Sequence, residues 1–248
     1  MAGNGEGLAP LFVRSIRSLI FVKDWYNAHG LFEGFFGGDV LKKFGLMSLM
    51  VQLLLASAVF AGGDAAKGKV QYATCTACHG ANGEGNPALH SPALAGQEAW
   101  YLESQIKNYQ QGIRGAVPGD TWGSTMAPMS KVLVNDQAIA DVVAYIQTFK
   151  VVNAPQTLKG GDATKGKTLY AICATCHGPK AEGMQALHSP RLNIQQDWYM
   201  LEQLQKFQNG MRGAHPKDMW GATMAPMAKT LVDEQAMKDV IAYIKSLQ

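Results

Sequence analysis

The chain has 248 residues, 47% of them hydrophobic and 17% charged, with 22 Lys/Arg against 19 Asp/Glu for a net charge of +3. That balance excludes a disordered chain. Basic residues number five, seven and ten over residues 1–61, 62–159 and 160–248, against four, seven and eight acids; this spread lacks the concentrated basic face that nucleic acid requires, so no nucleic-acid partner is expected.

Residues 1–61 read as an N-terminal extension. Lys42-Lys43 precede an apolar run from Phe44 to Phe60, broken only by Gly45, Ser48, Gln52 and Ser57, and the run ends in Ala58-Val59-Phe60-Ala61. A basic start, an apolar middle and small residues at the end make an export signal, with cleavage expected after Ala61. The run also approaches a bilayer-spanning length, so a retained membrane anchor is the alternative. The Gly-rich residues before it are assigned no domain, and a true start at Met47 or another residue would account for them.

Beyond residue 61 the chain repeats itself. Shifted by 98, Gly62–Phe149 lies on Gly160–Leu247 without a gap, and about half of the positions are identical. The expected units are 62–150 and 160–248, joined by a linker over 151–159 that carries Pro155 and no periodicity. A unit of this length has a thin core of its own. In the first, Asp64 can cap a helix through Tyr72 that ends at Cys75-Thr-Ala-Cys78-His79. A helix over Glu98–Gln111 closes at Gly112, and Asn135 can cap a helix over Asp136–Phe149 with Ile139, Val142, Val143 and Ile146 on one face. Gly, Pro and Met-rich stretches such as Gly115–Met129 read as loops. No alternating strand pattern is present, so the expected fold class is all-α, in two tandem copies.

Both units carry Cys-x-x-Cys-His, at Cys75/Cys78/His79 and Cys173/Cys176/His177, and these hold all four cysteines of the chain. The motif is the attachment signature for c-type haem: two thiols add to the porphyrin vinyl groups and the adjoining imidazole reaches the iron. Zinc or a redox dithiol is the competing reading. Zinc needs four ligands close together, and neither motif has another Cys nearby. Two haems c, one per unit, are therefore expected.

The second axial ligand separates a carrier from a catalyst, because a thioether closes the iron whereas an open position admits substrate. Each unit offers Met-Ala-Pro-Met, with Met126 and Met224 both 47 residues beyond the histidine. These two are expected to be the ligands, since Pro128 or Pro226 would stiffen the chain as it leaves the iron. Met129 and Met227 are left to packing. His90 and His188 are rival ligands. The carbonyls of Pro92 and Pro190 could accept the Nδ1–H of His79 and His177. Arg114 and Arg212 suit either a haem propionate or a solvated surface, and Trp122 and Trp220 suit packing on the porphyrin.

From Gly62 onward each half resembles a class I cytochrome c. Gly68 and Tyr72 with Tyr145, repeated as Gly166, Tyr170 and Tyr243, look like that family's crossing of terminal helices. In tandem the halves are similar to dihaem cytochromes of the c4 type, and Ser-Pro-Ala-Leu-Ala-Gly-Gln at 91–97 looks like that pattern. The resemblance implies two tandem class I domains and a periplasmic one-electron carrier in a respiratory chain. Its partners would be a quinol-oxidising complex or a dehydrogenase on one side and a terminal oxidase on the other. The halves are more alike, and the N-terminus longer, than the resemblance implies. Those departures leave open a membrane-anchored dihaem subunit of a larger oxidoreductase complex. A dihaem peroxidase would need one open iron, yet both units carry the same Met-Ala-Pro-Met, so no enzyme is expected.

Overall fold

A computed structural model describes residues 62–151 and 153–248; the expected export signal or anchor lies outside them. The described residues form eight α-helices, four in each half, and no strand beyond the isolated bridges Asn86–Ser91 and Met184–Ser189. None of these helices is long and apolar enough to cross a membrane.

Helix α1, Ala65–His79, opens where the Asp64 carboxylate accepts the N–H groups of Ala66 and Lys67, and stops at Gly80. In the second half α5, Ala163–His177, opens on Asp162 and stops at Gly178 in the same way. Such caps satisfy donors that the first turn leaves without partners. The last helix of each half, α4 (Asp136–Ile146) and α8 (Glu234–Lys245), packs across the first. The crossing demands glycine on the first helix. A Cβ on Gly68 would lie 1.9 Å from Asp141 O, and one on Gly166 would lie 1.9 Å from Asp239 O. One turn on, Tyr72 meets Tyr145 and Phe149 edge-on, while Tyr170 packs against Tyr243. Around these contacts close two cores, one built on Ile139, Val142, Val143 and Ile146, the other on Met237, Val240, Ile241 and Ile244. Asp141 ties the crossing together by accepting Asp64 N–H at 2.7 Å. That bond, then one from Gln137, holds its carboxyl below the usual range.

Helices α2 (Ala99–Gln110) and α6 (Asp197–Gln208) follow the loop after the motif. The expected loop over Gly115–Met129 is corrected by the structure: Thr121–Ser130 forms helix α3, and Met219–Lys229 forms its counterpart α7. Asp120 and Asp218 cap them by accepting Gly123 and Gly221 N–H at 3.0 and 2.9 Å. Pro128 falls in the last turn, so its missing N–H removes a single step of the ladder. Beyond it, the Gln110 amide fixes the helix end by donating to Ser130 O and Leu133 O.

Candidate haem sites

Cys75, Cys78 and His79 stand at i, i+3 and i+4 in the last turn of α1, which places them along one side of the helix. Cys173, Cys176 and His177 repeat this on α5. All four thiols are partly buried and unpaired with one another. Burial pushes the Cys75 and Cys173 thiols up, so they stay protonated at neutral pH.

Both imidazoles are buried. His79 Nδ1 lies 2.9 Å from Pro92 O, and His177 Nδ1 lies 2.8 Å from Pro190 O. A carbonyl can only accept, so Nδ1 carries the proton and Nε2 keeps its lone pair. Burial pushes both imidazole pKa values down, against the pull of the proline carbonyls, which keeps the rings neutral. Behind each histidine the backbone is pinned as well: Gly85 N–H donates to His79 O at 2.8 Å and Gly183 N–H to His177 O at 2.9 Å.

Met126 and Met129 lie three residues apart on α3, with Met126 half-buried and Met129 37% exposed. Met224 and Met227 repeat the pattern on α7. The proline that follows is thus helical, and the stiffened exit expected of it is replaced by helix geometry.

His90 and His188 occupy left-handed turns, both with φ 50°. Their rings are already engaged. His90 stacks on Trp122 with centroids 4.2 Å apart, and His188 on Trp220 at 3.9 Å. One face of each indole expected against a porphyrin is therefore covered by imidazole. Across the junction Trp198 and Trp100 meet these imidazoles edge-on.

Arg114 and Arg212 are buried between the halves, which removes the solvated-surface reading. Arg114 donates to Gln105, Tyr199 and Gln203, and Arg212 to Gln203 at 3.0 Å and Gln105 at 3.3 Å. Two guanidinium groups thus share neutral acceptors. The buried Nε–H of Arg212 finds no acceptor among the described residues.

These residues fit a haem. Thiols one helical turn apart, a neutral imidazole with Nε2 unprotonated, and an orphaned guanidinium donor suited to a carboxylate are the complementary groups.

Sequence reasoning missed the second ring of residues around each site. Gln97-Glu98 and Gln195-Gln196 sit at the same repeat position, just before α2 and α6, and their side chains reach the other half. Their signal was a repeated polar pair at a helix start. Glu202 and Lys206 on α6, which bond His90 and Asp120, carry no repeat signal because Ser104 and Asn108 stand in their places.

The family model for cytochrome c matches the chain twice, at residues 65–150 and 163–248. A cytochrome c4 of Pseudomonas aeruginosa is 34% identical over 179 residues, covering 67% of this chain and 82% of that protein. A thiosulfate dehydrogenase electron acceptor of Thiomonas intermedia is 31% identical, covering 59% of this chain and 68% of that one. Among solved structures, reduced recombinant cytochrome c4 from Pseudomonas stutzeri superposes with a TM-score of 0.56 at 28% identity, over 75% of this chain and all of that one.

Proposed function

The chain belongs to the cytochrome c family as a dihaem electron carrier, and from that premise we propose that it works in the periplasm. There it takes single electrons from a quinol-oxidising complex or a dehydrogenase and passes them toward a terminal oxidase of a respiratory chain. The observation that carries this reading is the doubled site: two thiols and a proline-held imidazole at the end of one helix, built twice.

Bound haem c supplies a one-electron iron couple. The chain's own residues do the rest. Cys75 and Cys78, with Cys173 and Cys176, would hold the porphyrins covalently. His79 and His177 would present Nε2 to iron, and the Pro92 and Pro190 carbonyls, which hold the tautomer, would make the imidazoles better donors. Met126 and Met224 would supply the thioether ligands, and their greater burial than Met129 and Met227 supports that choice. A soft sulfur and an imidazole suit both iron oxidation states, so such a ligand pair would let the iron change state with little movement. Arg114 and Arg212, buried at the junction, would meet the propionates. Residues 1–61 export the chain, through a signal cleaved after Ala61.

A visible spectrum with a pyridine haemochrome count tests the reading: two haems c per chain, with the weak red band of ferric iron–thioether ligation. Met126→Ala should halve that band and Met129→Ala should leave it, and the reverse would reassign the ligand. Carbon monoxide binding readily to the native reduced protein would overturn the carrier reading altogether.

The Thiomonas relative favours a second reading of the donor, a thiosulfate-oxidising dehydrogenase. Mixing the oxidised protein with a purified thiosulfate dehydrogenase, and separately with quinol-oxidising membranes, decides between them by the faster reduction.

A further inference from the structure

The peptide groups that hold the two proximal histidines are each gripped by the opposite half. In the first half the Pro92–Ala93 peptide accepts His79 Nδ1–H through its carbonyl, and its own N–H donates to Gln196 Oε1 at 2.9 Å. Gln195 Nε2 donates to the next carbonyl, Ala93 O, at 2.8 Å. In the second half the Pro190–Arg191 peptide accepts His177 Nδ1–H, and its N–H donates to Glu98 Oε2 at 3.0 Å. Gln97 Nε2 donates to Arg191 O at 3.3 Å. Positions 97 and 98 are the repeat equivalents of 195 and 196, so the two grips are reciprocal.

Glycines make room for both. A Cβ on Gly85 would lie 2.4 Å from Gln196 Nε2, and one on Gly183 would lie 2.5 Å from Glu98 Oε1. These are the glycines whose N–H groups pin the histidine carbonyls. Gln196 and Glu98 therefore each lie against both arms of the loop that wraps a histidine.

We propose that Gln195-Gln196 and Gln97-Glu98 are positioning residues through which each half tunes the iron of the other, with the Glu98 carboxylate making the two haems electronically unequal. The inference rests on the dihaem reading above. A peptide whose N–H donates to a carboxylate is polarised more strongly than one donating to an amide, and its carbonyl becomes the better acceptor. The imidazole bonded to that carbonyl gains electron density and favours ferric iron. Glu98 does this at the second site, whereas Gln196 offers a neutral oxygen at the first.

Two other differences accompany the exchange. The Gln196 amide also donates to Glu84 O at 2.7 Å, which a carboxylate cannot imitate. At the second site Glu182 O instead receives the Arg191 Nε–H at 3.5 Å. Behind the grips, Lys245 Nζ holds Gln195 O at 3.1 Å, where its counterpart Gln147 holds Gln97 O at 2.8 Å. Arg191 brings a charge opposite to that of Glu98 into the same loop, so the inference concerns what changes when position 98 alone is altered.

The test is a redox titration of the intact holoprotein, with the two haems told apart by their paramagnetically shifted methyl NMR signals. Glu98→Gln, which gives both peptides a neutral acceptor, should shift the second-half haem toward reduction by threefold to tenfold in its equilibrium constant; tenfold is about 59 mV for one electron. The first-half haem should stay in place. Gln196→Glu should shift the first-half haem the opposite way, and it decides the matter alone if the other variant does not fold. Neither haem moving, or both moving equally in each variant, overturns the inference. Failure of the unaltered protein to show two one-electron haems would instead defeat the dihaem reading.

Discussion

The two halves share their cores and differ where they touch. In the first, the cap of α3 is covered by the second half: Lys206 Nζ sits 2.7 Å from Asp120 and 2.6 Å from Glu202, and Glu202 also reaches His90 Nδ1 at 3.1 Å. The equivalent residues of the second half are Asp218 and His188, with Ser104 and Asn108 in place of Glu202 and Lys206. Asp218 is correspondingly only half-buried, whereas Asp120 is almost fully enclosed. The contrast shows what a repeat conserves. Helix crossings depend on backbone approach and must be built twice, while ion pairs across a near-symmetric junction need opposite charges on opposite sides and can be built once. The buried guanidinium groups of Arg114 and Arg212 follow neither course, because like charges face a shared set of neutral acceptors. That arrangement asks for anions between them.

The largest effects should fall where the halves are the same. Gly68→Ala and Gly166→Ala each put a methyl about 2 Å from a helix carbonyl (1.9 Å in both halves), where neither backbone can yield. Each should cost about 3 kcal/mol through overpacking, read by denaturant unfolding of the holoprotein. If one is tolerated and the other is not, the crossings are not equivalent. Somewhat smaller, and one-sided, is Lys206→Met. It leaves the Asp120 carboxylate enclosed without its cation and should cost about 2–3 kcal/mol, below the range for a fully buried pair because Lys206 keeps slight exposure. The matching Asn108→Met should change stability by no more than about 0.5 kcal/mol. Equal losses from the two would erase the asymmetry drawn from the ion pairs.

Much of this architecture was readable before the structure. Asp64, Asn135 and their repeats cap helices because a carboxylate or amide next to an apolar period is a local signal, and local signals survive folding. The helix expected through Tyr72 runs on to His79, so that Cys75, Cys78 and His79 lie along one side of it, which the motif's spacing alone did not record. Helix α3 was hidden because Gly123 and Pro128 count as breakers, yet the Asp120 cap and the Gln110 amide outweigh them. The reciprocal grips were hidden more deeply. Whether Gln196 bonds water or Ala93 is decided by which surface folds against it, and a polar pair at a helix start does not record that choice.

The smallest of the expected losses concerns acid, and again a single half. Asp197, at the first position of α6, is fully buried; its repeat equivalent is Ala99, which can accept nothing. Its carboxylate accepts the Leu158 N–H at 2.6 Å, the Thr157 hydroxyl at 2.8 Å, the Trp198 N–H at 2.8 Å and the Thr157 N–H, and so fastens the connecting segment to the second half. Burial alone would push this carboxyl up, but the bonds from Leu158 and Thr157 outweigh it and hold the pKa below the usual range. A folded value below the unfolded one, about 3.9, means the stabilisation is complete above that pH. It is lost as the pH falls through the lower, folded value. Asp197→Asn should therefore cost about 2 kcal/mol at neutral pH, as hydrogen bonds to a charged acceptor do. The variant should also show a shallower loss of stability as the pH falls below about 4. Amide exchange at Thr157 and Leu158 should quicken in the variant already at neutral pH. An acid limb of unchanged steepness would mean that the segment is held by Leu158 packing into the second core rather than by this carboxylate.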